Sequence, residues 1–372
     1  MKRMKVSLFL LAFMLLLAGC AKKDMQEVKA PEPTKEAAVK EEGEASAPVS
    51  DKTDEGKTEE AKEEAAAETT APVEKIDMKI AALKGATAIG MVKMMEDAGL
   101  GETANNYQFT VAGTADEITA GLIKGEFDIA AVPCNLASVL YNKTEGKIQL
   151  AGINTLGVLY IVETGESIQT VEDLKGKTIY STGLGTTPQY TLNYLLTSYG
   201  IDPEKDLTIE YKAEATEVAA ILSEAKDAIA MLPQPYVTTV MMSNDKLRIA
   251  LDVAKEWDKV SQGVSSVVTG VVVVRKEFAE GNADAFEAFL EDYRASAAYA
   301  NTNIEEASAL LEKHDIFKAA PMKKAIPYCN ITLITGEEMK TKAGGYLKTL
   351  FDQNPQAVGG KLPDDAFYYL GK

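Results

Sequence analysis

Ser181-Thr182-Gly183-Leu184-Gly185-Thr186-Thr187-Pro188 sets two glycines, adjacent threonines and a proline directly behind the apolar stretch Thr178-Ile179-Tyr180. A glycine-rich turn between a strand and a helix can cradle phosphate, so nucleotide chemistry is the first thing to test. Both nucleotide patterns fail on spacing. The dinucleotide fingerprint needs a glycine where Pro188 stands, and a P-loop needs Gly-Lys-Ser/Thr, which this stretch lacks. What the residues specify is a helix start, with Thr186 or Thr187 as N-cap and Pro188 at the first helical position. Free N–H groups and the helix dipole at such an end suit an anion or a polar heterocycle. Gly183 and Gly185 would let that ligand approach the backbone closely.

Comparable loops follow other apolar runs. Gly85-Ala86-Thr87, preceded by Lys84, repeats the strand–loop–helix start, and Gly113-Thr114, Pro133-Cys134-Asn135 and Pro233-Gln234-Pro235-Tyr236 end further strands. Ligands of open parallel sheets sit beyond the C-terminal strand ends. The candidate ligand-binding residues are therefore Lys84, Thr87, Thr114, Asn135, Gly183, Gly185, Thr186, Thr187, Gln234 and Tyr236. Thr155 and Tyr160, with Asn154 beside them, join the set from a long apolar segment that crosses between two halves of the fold.

Other chemistry has little material. His314 is the one histidine, in Glu312-Lys313-His314-Asp315, where it reads as an exposed helix residue. A histidine metal site or a Ser/His/Asp triad is not supported, and no catalytic residue, metal or cofactor is expected. Cys134 and Cys329 could form a disulfide in an exported protein or remain two buried thiols. Arg248, Arg275 and Arg294 fall outside the predicted cleft loops, so an arginine clamp for a carboxylate is poorly supported, and Lys84 is the one cation there. A small oxoanion, a sulfonate and an uncharged heterocycle suit these loops equally. Trp257, the single tryptophan, reads as covering the edge of the second lobe.

The chain ends set the compartment. Lys2, Arg3 and Lys5 precede an apolar run over 6–17 that closes on Leu17-Ala18-Gly19-Cys20. The run is shorter than the roughly 20 residues that span a bilayer, so 1–20 reads as a signal peptide. The LAGC stretch resembles the bacterial lipobox, which implies cleavage before Cys20 and lipidation of its thiol. Residues 21–75 hold 16 Asp and Glu against 9 Lys and no aromatic residue. Such a segment buries too little apolar surface to offset its ordering entropy, so it reads as a disordered acidic tether of roughly 40 Å reach. The formal charge of −17 divides into +3 over 1–20, −7 over 21–75 and −13 over 76–372. An acidic folded part argues against nucleic acid as partner.

Behind the loops lies an α/β pattern of short apolar runs alternating with helical spacing. "ADEITAGLIKGEFDIAAVP" from Ala115 and "ATEVAAILSEAKDAIAMLP" from Ala215 align with one gap, each ending at a proline. Two lobes on one plan follow from that echo. Residues 148–163 run out of the first lobe and 266–275 return to it. Lobe I then comprises 76–160 plus 270–372, and lobe II 161–269.

Leader, lipobox, tether, "DIAAVPCN", "VEDLKGKTIYSTGLGTTPQYTLNYLLTSYGI" and "DAIAMLPQPY", in this order, resemble extracellular solute-binding proteins of ABC importers. The branch they resemble is the one serving nitrate, sulfonate, taurine and thiamine precursors. The resemblance implies a two-lobed periplasmic-binding-protein-like fold (type II) with a small-molecule ligand held between closing lobes. It implies an ABC permease and its ATPase as partners, and a chain lipid-anchored to the outer face of the cytoplasmic membrane or lying in the periplasm. A surface sensor or adhesion lipoprotein on the same scaffold is the alternative. A pyrimidine-forming enzyme of that fold is disfavoured by the single histidine and the lack of a cysteine cluster.

Overall fold

The computed structural model describes residues 75–371. The expected leader with Cys20 and the tether up to residue 74 lie outside the described residues. The chain opens with β1 (Asp77–Leu83), α1 (Ala86–Ile89), α2 (Val92–Leu100), β2 (Asn106–Ala112), α3 (Ala115–Lys124), β3 (Ile129–Pro133), α4 (Cys134–Lys143) and β4 (Ile148–Leu156). It continues through β5 (Leu159–Thr164), β6 (Thr178–Thr182), α5 (Thr187–Ser198), β7 (Thr208–Lys212), α6 (Ala215–Glu224), β8 (Ile229–Pro233), α7 (Tyr236–Ser243), β9 (Leu247–Asp252) and α8 (Val253–Ser261). The last part holds β10 (Val268–Arg275), α9 (Lys276–Gly281), α10 (Ala283–Thr302), α11 (Ile304–Lys313), α12 (Ala319–Ala325), β11 (Ile331–Ile334) and α13 (Gly336–Gln353).

Two sheets divide these strands, in the orders β11-β4-β10-β3-β1-β2 and β7-β6-β8-β5-β9. In each, three parallel strands stand together: β1 between β2 and β3, and β6 between β7 and β8. An antiparallel strand then pairs with the third, β10 on β3 and β5 on β8. This is a two-lobed α/β fold. The internal echo is visible in it, since α3 and α6 both span ten residues and β3 and β8 both end at their prolines. Central strands read as unbroken apolar runs because helices cover both faces, as in Ile129–Val132 and Ile229–Leu232. The edge strand β7, Thr-Ile-Glu-Tyr-Lys, is only half-buried.

The long apolar segment is two strands in different sheets, β4 in the first and β5 in the second, broken at Gly157. A Cβ on Gly157 would meet Ala254 Cβ at 2.6 Å. The glycine is thus where the outgoing connection touches α8, which begins the return. β5 is buried along its whole length and includes Glu163, 2% exposed and paired with Arg248.

Two expectations need correction. Trp257 does not cover the edge of the second lobe. It is fully buried in the core of the first sheet, between Tyr194 (ring centroids 4.2 Å) and Tyr346 (5.3 Å), and its Nε1 donates to Ser265 Oγ at 3.0 Å. The cause is the spacing Val253, Trp257, Ser261, which gives α8 one buried face. His314 is half-buried and follows the end of α11, its Nε2 3.1 Å from Glu96 Oε2. Of the two alternatives left open for Cys134 and Cys329 the structure has the second: both are buried free thiols, and burial pushes both pKa values far up.

Candidate functional site

Because β1–β3 are parallel, and β6–β8 likewise, each sheet presents its strand ends along one edge. The two edges face each other at α4 and α5. Thr187, the first residue of α5, donates its hydroxyl to Asn135 Oδ1 at 3.2 Å. Asn135 Nδ2 donates to Gly185 O at 3.4 Å and to Ala357 O at 3.0 Å. Both side chains are buried, Asn135 at 1% and Thr187 at 0% exposure. One turn along, Thr191 Oγ1 lies 2.7 Å from Tyr346 OH, and Tyr194 packs on Trp257. Thr187, Thr191 and Tyr194 are spaced i, i+4, i+7, one stripe of a helix. A second junction pairs the start of α7 with the segment before α12, where Tyr236 and Phe317 meet edge-on at 5.7 Å.

The candidate residues divide by their partners. Asn135, Gly185 and Thr187 come together across the lobes. Thr186 is the N-cap residue of α5 and donates to Gly183 O at 2.9 Å. Pro188 therefore stands second in the helix, one place later than expected, because the turn from Gly183 to Thr186 closes first. Two N–H groups of this loop are bonded within it. Gly185 N donates to Gln189 Oε1 at 2.7 Å, and Thr186 N donates to Gly183 O at 3.0 Å. Thr87 donates to Leu83 O at 2.7 Å, Thr114 to Glu117 at 2.9 Å, and Lys84 Nζ to Asp315 O at 3.2 Å, all within the first lobe. Gln234 receives Thr238 Oγ1 at 2.9 Å. Asn154 braces the first lobe internally, donating to Thr87 O and to Tyr293 OH.

Two groups on the crossing strands stand out. Thr155 Oγ1 is buried without a hydrogen-bond partner. Tyr160 is 7% exposed, and burial, with Asp252 adding to it, pushes its phenol up to about 12. Sequence reasoning missed Thr191, Tyr194, Tyr346 and Phe317. The stripe on α5 was a usable signal, whereas Phe317 and Tyr346 come from distant parts of the chain. A surface hollow of about 560 Å³ lies at the other end of the first sheet, lined by residues such as Gly125, Lys147 and Arg275, away from these edges. Among the described residues no cluster of His, Cys, Asp and Glu could hold a metal, and no helix is long and apolar enough to cross a membrane.

Residues 101–325 match the family described as ABC transporter, phosphonate, periplasmic substrate-binding protein. The match covers more than half of the chain, which belongs to this family. Its members are substrate-binding components of importers, not enzymes, and act outside the cytoplasmic membrane with a permease. No curated protein matches the chain. Among solved structures, an ABC transporter from Parabacteroides distasonis is 29% identical with a TM-score of 0.66, covering 78% of this chain and 98% of that one. The periplasmic aliphatic sulphonate binding protein of Escherichia coli is 16% identical with a TM-score of 0.65, covering 80% and 92%. The periplasmic nitrate-binding protein of Synechocystis is 13% identical with a TM-score of 0.52, covering 72% and 75%. The last two are likenesses of fold alone.

Proposed function

We propose that this chain captures a small solute between its two lobes and delivers it to a permease driven by an ATPase. The observation that carries the reading is the junction of the two strand-end edges through Asn135 and Thr187. A solute bound there touches both lobes only when they are closed, and that differential contact is what shifts an open–closed equilibrium. Lobe I, 76–160 with 270–372, and lobe II, 161–269, move as the two units. The loop from Gly183 to Thr187, the starts at Lys84, Thr87 and Thr114, Asn135, the crossing residues Thr155 and Tyr160, and the corner at Gln234 and Tyr236 form the ligand site. Acyl chains on Cys20 hold the protein at the membrane, two or more being needed for stable attachment, and residues 21–75 act as the tether.

The test is reconstitution of the full chain with its permease and ATPase in vesicles. Solute-dependent stimulation of ATP hydrolysis is the expected result. Solute binding without stimulation would favour a surface sensor on the same scaffold. Cys20→Ala should release the protein from membranes or leave its leader uncut, and unchanged acyl labelling in that variant would remove the anchor from the account.

A further inference from the structure

We propose that Asn330 pins the hinge of the outgoing crossing, so that the lobes open and close through the backbone angles of one residue, Val158. The inference rests on the moving-lobe reading above. The chain passes from the first sheet to the second between β4, ending at Leu156, and β5, starting at Leu159. Gly157 and Val158 lie between them, and their two carbonyls are held from opposite sides. Gly157 O accepts from the side-chain amide of Asn330, which stands directly before β11 at the edge of the first sheet. Val158 O accepts from Gln234 N at 2.9 Å, directly beyond β8 of the second sheet. The Gly157 carbonyl belongs to the peptide plane that joins it to Val158, and the Val158 carbonyl to the next plane. Peptide planes are stiff, so rotation of one lobe against the other falls on φ and ψ of Val158.

Asn330 is itself fixed to the first lobe. Its backbone carbonyl accepts from Leu156 N at 3.2 Å, so it holds the outgoing segment at two successive peptide groups. Ile331, next in the chain, pairs with Thr155 and gives its carbonyl to Asn301 Nδ2 at 2.9 Å, on α10. Cys329, on the other side, is fully buried in the first core. Asn330 has φ of 45°, a left-handed backbone that asparagine enters more readily than most side chains. Such an outlier persists where its surroundings hold it, and outliers of this kind collect at switch regions.

The return path leans on the same place. A Cβ on Gly157 would meet Ala254 Cβ at 2.6 Å and Val267 Cβ at 3.4 Å. Ala254 lies between Val253, in the core of the second sheet, and Trp257, in the core of the first. Both crossings therefore touch at Gly157, as one hinge line requires. Val158 is 1% exposed and packs in the first core, and its branched Cβ makes it a stiff pivot. With Asn330 in place, closure follows that pivot. Without it Gly157, free of any side chain, joins the motion and the path widens.

The test introduces Lys124→Cys in the first lobe and Met242→Cys in the second, both at exposed positions, and measures the spread of distances between spin labels on them in the full chain. Cys20→Ala leaves these two as the accessible thiols, since Cys134 and Cys329 are buried. With Asn330 present, the spread should be narrow and should shift when a small-molecule extract of the producing culture is added. Asn330→Asp loses the amide donor, and Asn330→Gly suits the left-handed backbone while losing the side chain. Both should widen the spread by at least about twofold. A residue serving stability alone would lower the melting temperature and leave the spread of the folded protein unchanged. An unchanged spread in both variants overturns the pin while leaving lobe motion intact. A parent distance that the extract does not shift removes the moving-lobe reading and the pin together.

Discussion

Thr187 and Asn135 form one of the hydrogen-bonded pairs that join the two lobes, at the mouth of α5, hydroxyl to amide oxygen, 3.2 Å apart and almost wholly buried. The geometry assigns each amide atom its own task, since Oδ1 accepts from the second lobe while Nδ2 donates to carbonyls of both.

Asn135→Ala leaves the Thr187 hydroxyl and two carbonyls unpaired and should lower unfolding free energy by about 1–3 kcal/mol. Asn135→Asp keeps the acceptor but loses both donors and buries a charge, so it should be the more damaging change. Urea denaturation of both variants checks the order. An Asp variant as stable as the Ala variant would mean that the amide is not bonded as described.

Gly183 and Gly185 both have φ of 76°, a left-handed backbone that costs other residues about 1–2 kcal/mol. They differ in their surroundings. A Cβ on Gly183 would lie 2.7 Å from Pro188 Cγ and 2.7 Å from Thr186 Oγ1, whereas Gly185 has nothing within 4 Å. Gly183→Ala should therefore destabilise more than Gly185→Ala, again read from urea midpoints. For blocking the cleft, Gly185→Asn is a better probe than a β-branched residue, because asparagine tolerates this conformation.

Trp257 is the single tryptophan and sits between Tyr194 on α5 and Tyr346 on α13. Its emission should be that of a buried indole and should change when solute alters the docking of α5. Solute titration with fluorescence detection checks this, and a saturating solute that leaves the emission untouched would show that α5 does not shift. Trp257→Ala should cost about 3–5 kcal/mol, as for other buried aromatics.

Burial alone would raise the Glu163 carboxyl, but donors at Ile168 and Ser167 and the nearby Arg248 outweigh it and hold it below its ordinary value of 4.5. A depressed carboxylate contributes stability that is fully present above the unfolded pKa and is lost as pH falls through the folded one. Stability should therefore decline below about pH 4.5, and Glu163→Gln should flatten that decline while lowering stability at neutral pH. Urea midpoints measured across the acid range decide it.

Much of this fold can be seen in the residues. Pro133 and Pro233 stop their strands because a proline has no N–H to continue the ladder, and the ten-residue helices from Ala115 and Ala215 show their apolar spacing plainly. The antiparallel neighbours β10 and β5 do not announce themselves. Their apolar runs report burial on both faces and say nothing of direction or partner. Trp257 shows the same limit: its spacing with Val253 and Ser261 marks a buried face of α8, but the core that receives it is built largely from the other sheet. At the site, the sequence marks which loops approach the cleft. It does not show that Gln189, three residues past Thr186, satisfies Gly185, since that bond depends on how the turn closes.

α5 meets the core around the first sheet at three levels, Thr187, Thr191 and Tyr194. With about 1.5 Å of rise per residue, the outer two are about 10 Å apart along the axis. Tyr194 rests on Trp257, in the segment through which the chain returns to the first sheet, while Thr187 stands at the far end beside the loop. The helix is in effect a lever with its fulcrum at the two rings, so a small tilt there becomes a larger displacement at Gly185. Changes in ring size at Tyr194 or Tyr346 should thus reset how wide the mouth stands without altering any group inside it.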